Sequence, residues 1–219
     1  MKIYIIIPCF NEAPNLAEAI SRAKDYGLVI VVDDGSTDNS FEIARNSGVI
    51  VLRHFLNRGQ GASLETGNRY AYAHGADAVV HFDSHGQHRA EEIPRLVEPI
   101  LTSGYDAILG SRFLDGKTKT PFLKKWLILK PAVWFQNLLL GVKLTDAHNG
   151  FRALSRRALE RISIKQDGMA HASEIVEQIK EKGLKYQEVP VTIIYNEFGQ
   201  GFLGGIRILR DILFGKLNK

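Results

Sequence analysis

Short runs of apolar and β-branched residues at 3–7, 28–32, 49–54 and 78–82 are separated by stretches whose apolar residues recur with helical period. Residues 15–26 set Leu16, Ala19, Ile20 and Ala23 along one face, and 40–47 and 61–74 read as the next two helices. Strands alternating with helices predict right-handed crossovers, hence an α/β fold: a mostly parallel open sheet of Rossmann-like βαβ units with helices on both faces. Further along, the pattern predicts strands over 106–109 and 187–194 and helices over 153–161 and 173–182. Gly27, Gly48 and Gly75 each fall just past a predicted helix, where a left-handed C-cap is wanted.

Composition adds limits to this picture. The 219 residues, 45% hydrophobic and 24% charged, suffice for one α/β domain with a sizeable core, and no linker, repeat or low-complexity tract divides them. The net charge of +4 and pI of about 9.1 favour anionic partners, but Lys and Arg are spread along the chain, so nucleic acid is not the expected one. Cys9 is the only cysteine, which excludes an intrachain disulfide framework and a thiolate metal cluster and fits a reducing, cytoplasmic setting. The first apolar run is too short for a signal peptide and stops at Pro8.

Carboxylates gather where such a sheet collects ligand-binding groups, just beyond the carboxyl ends of strands. Val32-Asp33-Asp34-Gly35-Ser36 follows the second predicted strand, and Phe82-Asp83-Ser84-His85 follows the fourth. Pro8-Cys9-Phe10-Asn11-Glu12 follows the first, so its loop and the 33–38 loop are expected to be neighbours. Carboxylates there can accept from base N–H groups and ribose hydroxyls, and Gly35 lets backbone approach a ligand. The plainer alternative makes Asp33 and Asp34 turn residues and Asp38 a helix cap. No Gly-x-Gly-x-x-Gly follows the first strand and no Gly-x-x-x-x-Gly-Lys-Ser/Thr occurs, which argues against a dinucleotide dehydrogenase and a P-loop hydrolase. Arg58-Gly59-Gln60-Gly61 instead reads as a tight loop opening a helix, whose N–H groups and Arg58 would attract phosphate oxygens.

Taken in order, Pro8 with Asn11-Glu12, the 32–38 string, Asn57-Arg58-Gly59, Phe82-Asp83-Ser84-His85-Gly86-Gln87-His88, Gly110-Ser111-Arg112 and Asp146-Ala147-His148-Asn149-Gly150-Phe151-Arg152 resemble a family 2 glycosyltransferase of GT-A fold. In pattern they are most similar to the dolichol- and polyprenyl-phosphate mannosyl- and glucosyltransferases. The resemblance implies a single domain over 1–219, with a nucleotide-sugar half to about residue 110 and an acceptor half after it. It implies that Pro8, Glu12 and Asp34 contact the nucleobase and ribose, and that Asn11, Asp33, Ser36, Arg58 and Asp83 complete the donor site. Asp83 matches the first position of the metal-holding Asp-x-Asp motif, His85 stands in the second, and Gln87 matches a residue that completes the metal shell. Asp83, His85 and Gln87 alternate, so an extended loop points all three to one side. An imidazole donor favours manganese over magnesium, which prefers oxygen ligands. His81 and His88 read as framework or surface residues.

On the acceptor side the resemblance implies that Arg112 and Arg152 bind an acceptor phosphate, while in other branches the residue at Asp146 is a general base. Asn149 replaces the Ser often found in the polyprenyl-phosphate branch. For Asp146 the alternative is a turn residue, and for Arg152 a surface helix arginine. One in-line displacement would invert the anomeric centre. Residues 121–144 are apolar and aromatic but broken by Lys124, Lys125, Lys130 and Pro131, which suits two amphipathic helices in a membrane surface rather than a span. Residues 202–216 repeat the pattern, and 195–201 match a mobile loop over the donor. The expectation is a cytoplasmic, metal-dependent transferase, peripheral on the membrane, using a nucleotide-sugar donor and a lipid-phosphate acceptor. A non-catalytic nucleotide-sugar-binding scaffold and a sugar-nucleotide-forming nucleotidyltransferase are the alternatives. Pro8-Cys9-Phe10-Asn11-Glu12 stands where the last would need a Gly-rich basic loop.

Overall fold

In the computed structural model, which describes residues 1–115, 137, 141–146 and 149–194, the first apolar run becomes the spine of the sheet. Strand β1 (Ile3–Cys9) pairs in parallel with β2 (Leu28–Asp33) on one side and β4 (Ala78–His81) on the other. Strand β3 (Ile50–Arg53) lies parallel beyond β2. On the far side β6 (Arg152–Ser155) runs antiparallel between β4 and β5 (Ala107–Ser111), and β7 (Tyr186–Pro190) pairs in parallel with β5. The order is β3-β2-β1-β4-β6-β5-β7, a mostly parallel seven-stranded sheet.

Because successive strand residues point to opposite faces, β1 sends Tyr4 and Ile6 into one core cluster and Ile5 and Ile7 into the other. The first cluster is covered by α3 (Gln60–Ala73), α5 (Arg156–Arg161) and α6 (His171–Glu181), through Leu64, Leu159 and Ile175. The second is covered by α1 (Ala13–Ala23), α2 (Ser40–Asn46) and α4 (Ile93–Ser103), through Leu16, Ala44 and Leu96. Helices thus lie on both faces, as the sequence predicts.

Three elements differ from the sequence reading. Residues 152–155 form a strand rather than the start of a helix, buried throughout and paired on both edges. The helix begins only at Arg156, where Ser155 Oγ accepts from the Ala158 N–H. Helix α4 lacks a counterpart in the sequence reading because Pro94 and Pro99 obscure its stripe of Ile93, Leu96, Val97 and Ile100. Pro94 sits in the first turn, where no N–H is needed. Gly48 and Gly75 do take positive φ (63° and 79°), but Gly27 does not. It is small for another reason: a Cβ there would lie 2.7 Å from the Ile3 carbonyl oxygen.

The 121–136 and 138–140 parts of the amphipathic stretch, the 195–201 loop and the 202–216 segment lie outside the described residues. No described helix is long and apolar enough to cross a membrane.

Candidate active site

The loops after β1 and β2 are stitched together above the sheet. The Asn11 N–H donates to Ser36 Oγ (3.0 Å), and Asn11 Oδ1 accepts from the Thr37 N–H (2.9 Å). The Glu12 N–H donates to Ser40 Oγ (2.9 Å), and Asp38 accepts from the Ala13 N–H (3.1 Å) and the Ser40 N–H (3.0 Å). Asp38 therefore serves the starts of both α1 and α2. Asn11 itself is held at φ 54°, a left-handed conformation that asparagine tolerates. Pro8, the residue before Cys9, is buried within β1 beside Val32.

The two aspartates at the end of β2 have separate duties. Asp33 is fully buried; its Oδ1 accepts from the Ser36 N–H (3.3 Å). Its Oδ2 lies 3.1 Å from Arg53 Nε but makes no hydrogen bond. Arg53 also donates to the Ser36 carbonyl (3.3 Å) and stacks over Phe41. Asp34 is pinned by its own chain. It accepts from the Arg58 N–H (3.0 Å) and Gly59 N–H (2.6 Å) and meets His54 Nδ1 at 2.6 Å. His54 Nε2 in turn meets Thr66 Oγ1 at 2.9 Å.

This arrangement revises the phosphate-loop reading of Arg58-Gly59-Gln60-Gly61. The amides of Arg58 and Gly59 are spent on Asp34, and the Gly61 N–H donates to the Asp167 carbonyl (2.7 Å). The 166–167 backbone presses so closely that a Cβ at Gly61 would lie 2.0 Å from the Gln166 carbonyl, and one at Gly59 2.3 Å from that of Asp167. Gly35, likewise, is approached by the Leu56-Asn57 backbone, at 3.0 Å from a would-be Cβ. The Arg58 side chain is open to a ligand, half exposed and 3.9 Å from the Asp167 carboxylate.

Asp83 is the centre of the third loop. Its Oδ1 accepts from Gln60 Nε2 (3.2 Å), and its Oδ2 lies 3.3 Å from His88 Nε2 and 3.8 Å from His85 Nε2. His85 is part exposed, and its Nδ1 is buried without a hydrogen bond. Two ligands each about 2.1 Å from one ion stand at most about 4.2 Å apart, so the Asp83 and His85 atoms fit one divalent cation between them. Among the described residues no group of three His, Cys, Asp or Glu side chains is arranged to hold a metal. Gln87 ties the loop down: its carbonyl accepts from the Ile194 N–H (3.0 Å), beside a bridge from His88 to Ile193. Gly150 lies against this carboxylate, a Cβ there standing 3.4 Å from Asp83 Oδ2, at ordinary contact distance.

Two arginines flank this centre. Arg112 grips the buried Asp146 through Nε to Oδ2 (2.6 Å) and Nη2 to Oδ1 (2.7 Å), and its own N–H donates to Oδ2 (3.0 Å). Both oxygens of Asp146 are thus engaged, which suits a residue that orients Arg112 better than one that takes a proton. Glu188 on β7 holds this loop, accepting from the Thr145 and Asp146 N–H groups (2.9 Å and 3.0 Å). Burial raises its pKa. Arg152 is no surface helix residue: it lies on β6, 1% exposed, donating to the carbonyls of Asn149 (3.1 Å) and Gly150 (3.3 Å). Burial lowers its pKa to about 10, opposed by Asp83 and Asp146, so it stays cationic near neutrality. Asn149 Oδ1 accepts from the Phe151 N–H (3.0 Å), which leaves a buried Nδ2 donor without a partner.

Sequence reasoning gave no role to His54, Gln60, Glu188 or the 166–168 backbone, and read His81 and His88 as framework or surface residues; both are buried. His54 and Gln60 stand just after a strand and at the start of a helix, the same positional signal that picks out Asp33 and Asp83. Glu188 sits inside a strand pattern and carries no such signal. Cys9 is buried, and burial pushes its thiol up to about 11, which leaves it inert at neutral pH.

The chain matches the model of glycosyl transferase family 2 over residues 4–163, more than half its length. The UDP-N-acetylglucosamine–dolichyl-phosphate N-acetylglucosaminyltransferase of Methanococcus voltae is 31% identical, the match covering 99% of this chain and 97% of that protein. The dolichol-phosphate mannosyltransferase of Pyrococcus furiosus is 34% identical, over 94% of this chain and 60% of that protein. Glucosyl-3-phosphoglycerate synthase of Mycobacterium tuberculosis, solved with Mn2+, UDP-glucose and phosphoglyceric acid, superposes with a TM-score of 0.74 at 21% identity, covering 97% of this chain and 78% of that one. Sheet order, loop placement and these likenesses agree: the chain belongs to glycosyl transferase family 2, with a GT-A fold, close to the dolichol-phosphate sugar transferases.

Proposed function

We propose that the protein moves a sugar, with inversion, from a nucleoside-diphosphate donor of GDP-mannose or UDP-glucose type to a polyprenyl or dolichyl phosphate. The observation that carries this reading is the placement of Asp83 and His85 in the same polar cluster as two cationic arginines, Arg112 and Arg152. A cation site beside anion-binding groups is what a diphosphate donor and a phosphate acceptor together require. The names of the relatives from M. voltae and P. furiosus favour the lipid-phosphate acceptor.

In this reading the nucleoside lies across the loops after β1 and β2, with Pro8, Glu12, Asp33 and Asp34 at its edge and Asn11 and Ser36 fixing the loops. Arg58 exchanges its loose contact with Asp167 for the diphosphate. Asp83 and His85, with Gln87, would hold a divalent cation, whose positive charge would stabilise the departing diphosphate; an imidazole donor favours manganese over magnesium. Arg112, aligned by Asp146, and Arg152 hold the acceptor phosphate, with the free Asn149 Nδ2 as a further donor. That phosphate is largely ionised at neutral pH, so its oxygen needs no base to attack the anomeric carbon. One carbon–oxygen bond forms as that to the donor diphosphate breaks on the opposite face, which inverts the centre. The amphipathic stretches at 121–144 and 202–216 would bring the protein to the cytoplasmic membrane surface where such acceptors lie.

Calorimetry with GDP-, UDP- and dTDP-sugars, each with Mn2+, Mg2+ or EDTA, tests the donor side. One donor binding only with metal, and losing it in Asp83→Ala, is the expected result. Metal-indifferent binding without turnover would favour a nucleotide-sugar-binding scaffold.

A further inference from the structure

His88 is only three residues past His85 in the same loop, yet its environment is the opposite. It is 2% exposed, stacked on Phe151 with ring centroids 4.6 Å apart and planes 10° from parallel, and edge-on to Phe82 at 5.7 Å. The stack fixes the plane of the ring. Its two nitrogens both face the same residue: Nδ1 accepts from the Asp83 N–H at 3.2 Å, and Nε2 lies 3.3 Å from Asp83 Oδ2.

That geometry settles the tautomer. A nitrogen that accepts from an amide carries no proton, so in the neutral ring the proton is on Nε2, directed at the carboxylate. The same argument excludes His88 as a metal ligand through Nε2, since freeing that nitrogen would put a proton on Nδ1 against the Asp83 N–H. Gln60 Nε2 meets the other carboxylate oxygen at 3.2 Å. Asp83 is therefore held from three sides: main chain and Oδ2 by His88, Oδ1 by Gln60.

We propose that His88, clamped between Phe82 and Phe151, is the positioning residue that presets the Asp83 carboxylate for the divalent cation. This rests on the cation site assigned above to Asp83 and His85. Partners of metal-bound groups fix ligand orientation, and their loss typically costs about 10- to 100-fold in metal affinity. His88→Phe keeps the aromatic stack and removes both polar contacts, whereas His88→Gln restores a donor that can reach Oδ2.

The test has two arms. In the native protein, long-range proton–nitrogen NMR of the His88 ring, with exchange of the Asp83 amide, reads the clamp itself: a protonated Nε2 and a protected amide are expected. A ring protonated on Nδ1 would overturn the proposal whatever the protein binds. In the second arm, Mn2+ binding is followed by EPR with a nucleoside diphosphate present. His88→Phe should bind roughly 10- to 100-fold more weakly, His88→Gln within several-fold of native. Affinity within twofold of native in folded His88→Phe would also overturn it. If the native protein binds no Mn2+ with any nucleoside diphosphate, the cation reading fails and the NMR arm still decides the role of His88. The NMR arm likewise decides if His88→Phe does not fold.

Discussion

Asp146, 2% exposed, accepts a bidentate pair of hydrogen bonds from Arg112, Nε to Oδ2 at 2.6 Å and Nη2 to Oδ1 at 2.7 Å. A carboxylate so engaged makes the guanidinium rigid, and both of its oxygens are committed to Arg112. Asp146→Asn and Arg112→Lys should each reduce kcat/KM by about 100-fold, and the double variant should be little worse than either, because the two act as a unit. A double-mutant cycle checks this; fully additive losses would separate the roles and return Asp146 to the general-base reading.

Glu188 acts one layer further out. It holds the Thr145 and Asp146 amides and touches neither Asp83 nor Arg58. Glu188→Ala should raise the acceptor KM by about 10-fold while donor affinity stays within twofold. Separate titrations of donor and acceptor test the split, and an equal loss on both sides would contradict it.

The packing of Gly61 predicts a stability effect without chemistry. With the Gln166 carbonyl 2.0 Å from a would-be Cβ, Gly61→Ala must push the 166–167 backbone away and break the bond to the Asp167 carbonyl. A loss of about 2–4 kcal/mol is expected, read as a lower denaturant midpoint. Gly48→Ala, where no atom lies within 4 Å, should cost only the positive-φ strain of about 1 kcal/mol.

His171 gives a pH dependence with a definite sign. Burial and Arg152 lower its pKa to about 4, while its Nδ1 donates to the Gly168 carbonyl (2.8 Å). Its folded pKa lies below the unfolded value near 6.5, so the unfolded chain takes up a proton first as pH falls. The contribution of neutral His171 is full above about pH 6.5 and is lost toward pH 4, by up to about 1.4 kcal/mol per unit. His171→Asn keeps a donor and cannot titrate; its unfolding free energy should vary less over that window. An unchanged slope would sink the assignment.

Much of the fold was legible because strand and helix periods differ and the first half alternates them cleanly. Residues 3–33 are the clearest case, with Leu16, Ala19, Ile20 and Ala23 buried as their spacing requires. The failures have local causes. Arg152–Ser155 begins on the Arg of a Gly-Phe-Arg string and leads straight into a helix, so its short buried strand, flanked on both edges, has no turn to mark it. Prolines hid α4 although its apolar stripe is intact. At the site, residues at strand ends could be named from position, but their partners could not. Asp34 finds His54 and the Arg58 and Gly59 amides, and Asp83 finds His88, through contacts that only the folded loops create. Arg152 shows the same limit: a charged residue at the start of a predicted helix reads as exposed until two neighbouring strands enclose it.

Transfer to a lipid phosphate is read from product formation. Purified protein with radiolabelled GDP-mannose, UDP-glucose or UDP-N-acetylglucosamine, Mn2+ and dolichyl or undecaprenyl phosphate should yield a labelled lipid from one donor. The label should carry the inverted anomeric linkage by NMR and vanish with EDTA and in Asp83→Ala. Label transferred to no polyprenyl phosphate, while the bound donor turns over on a water-soluble acceptor, would contradict the account.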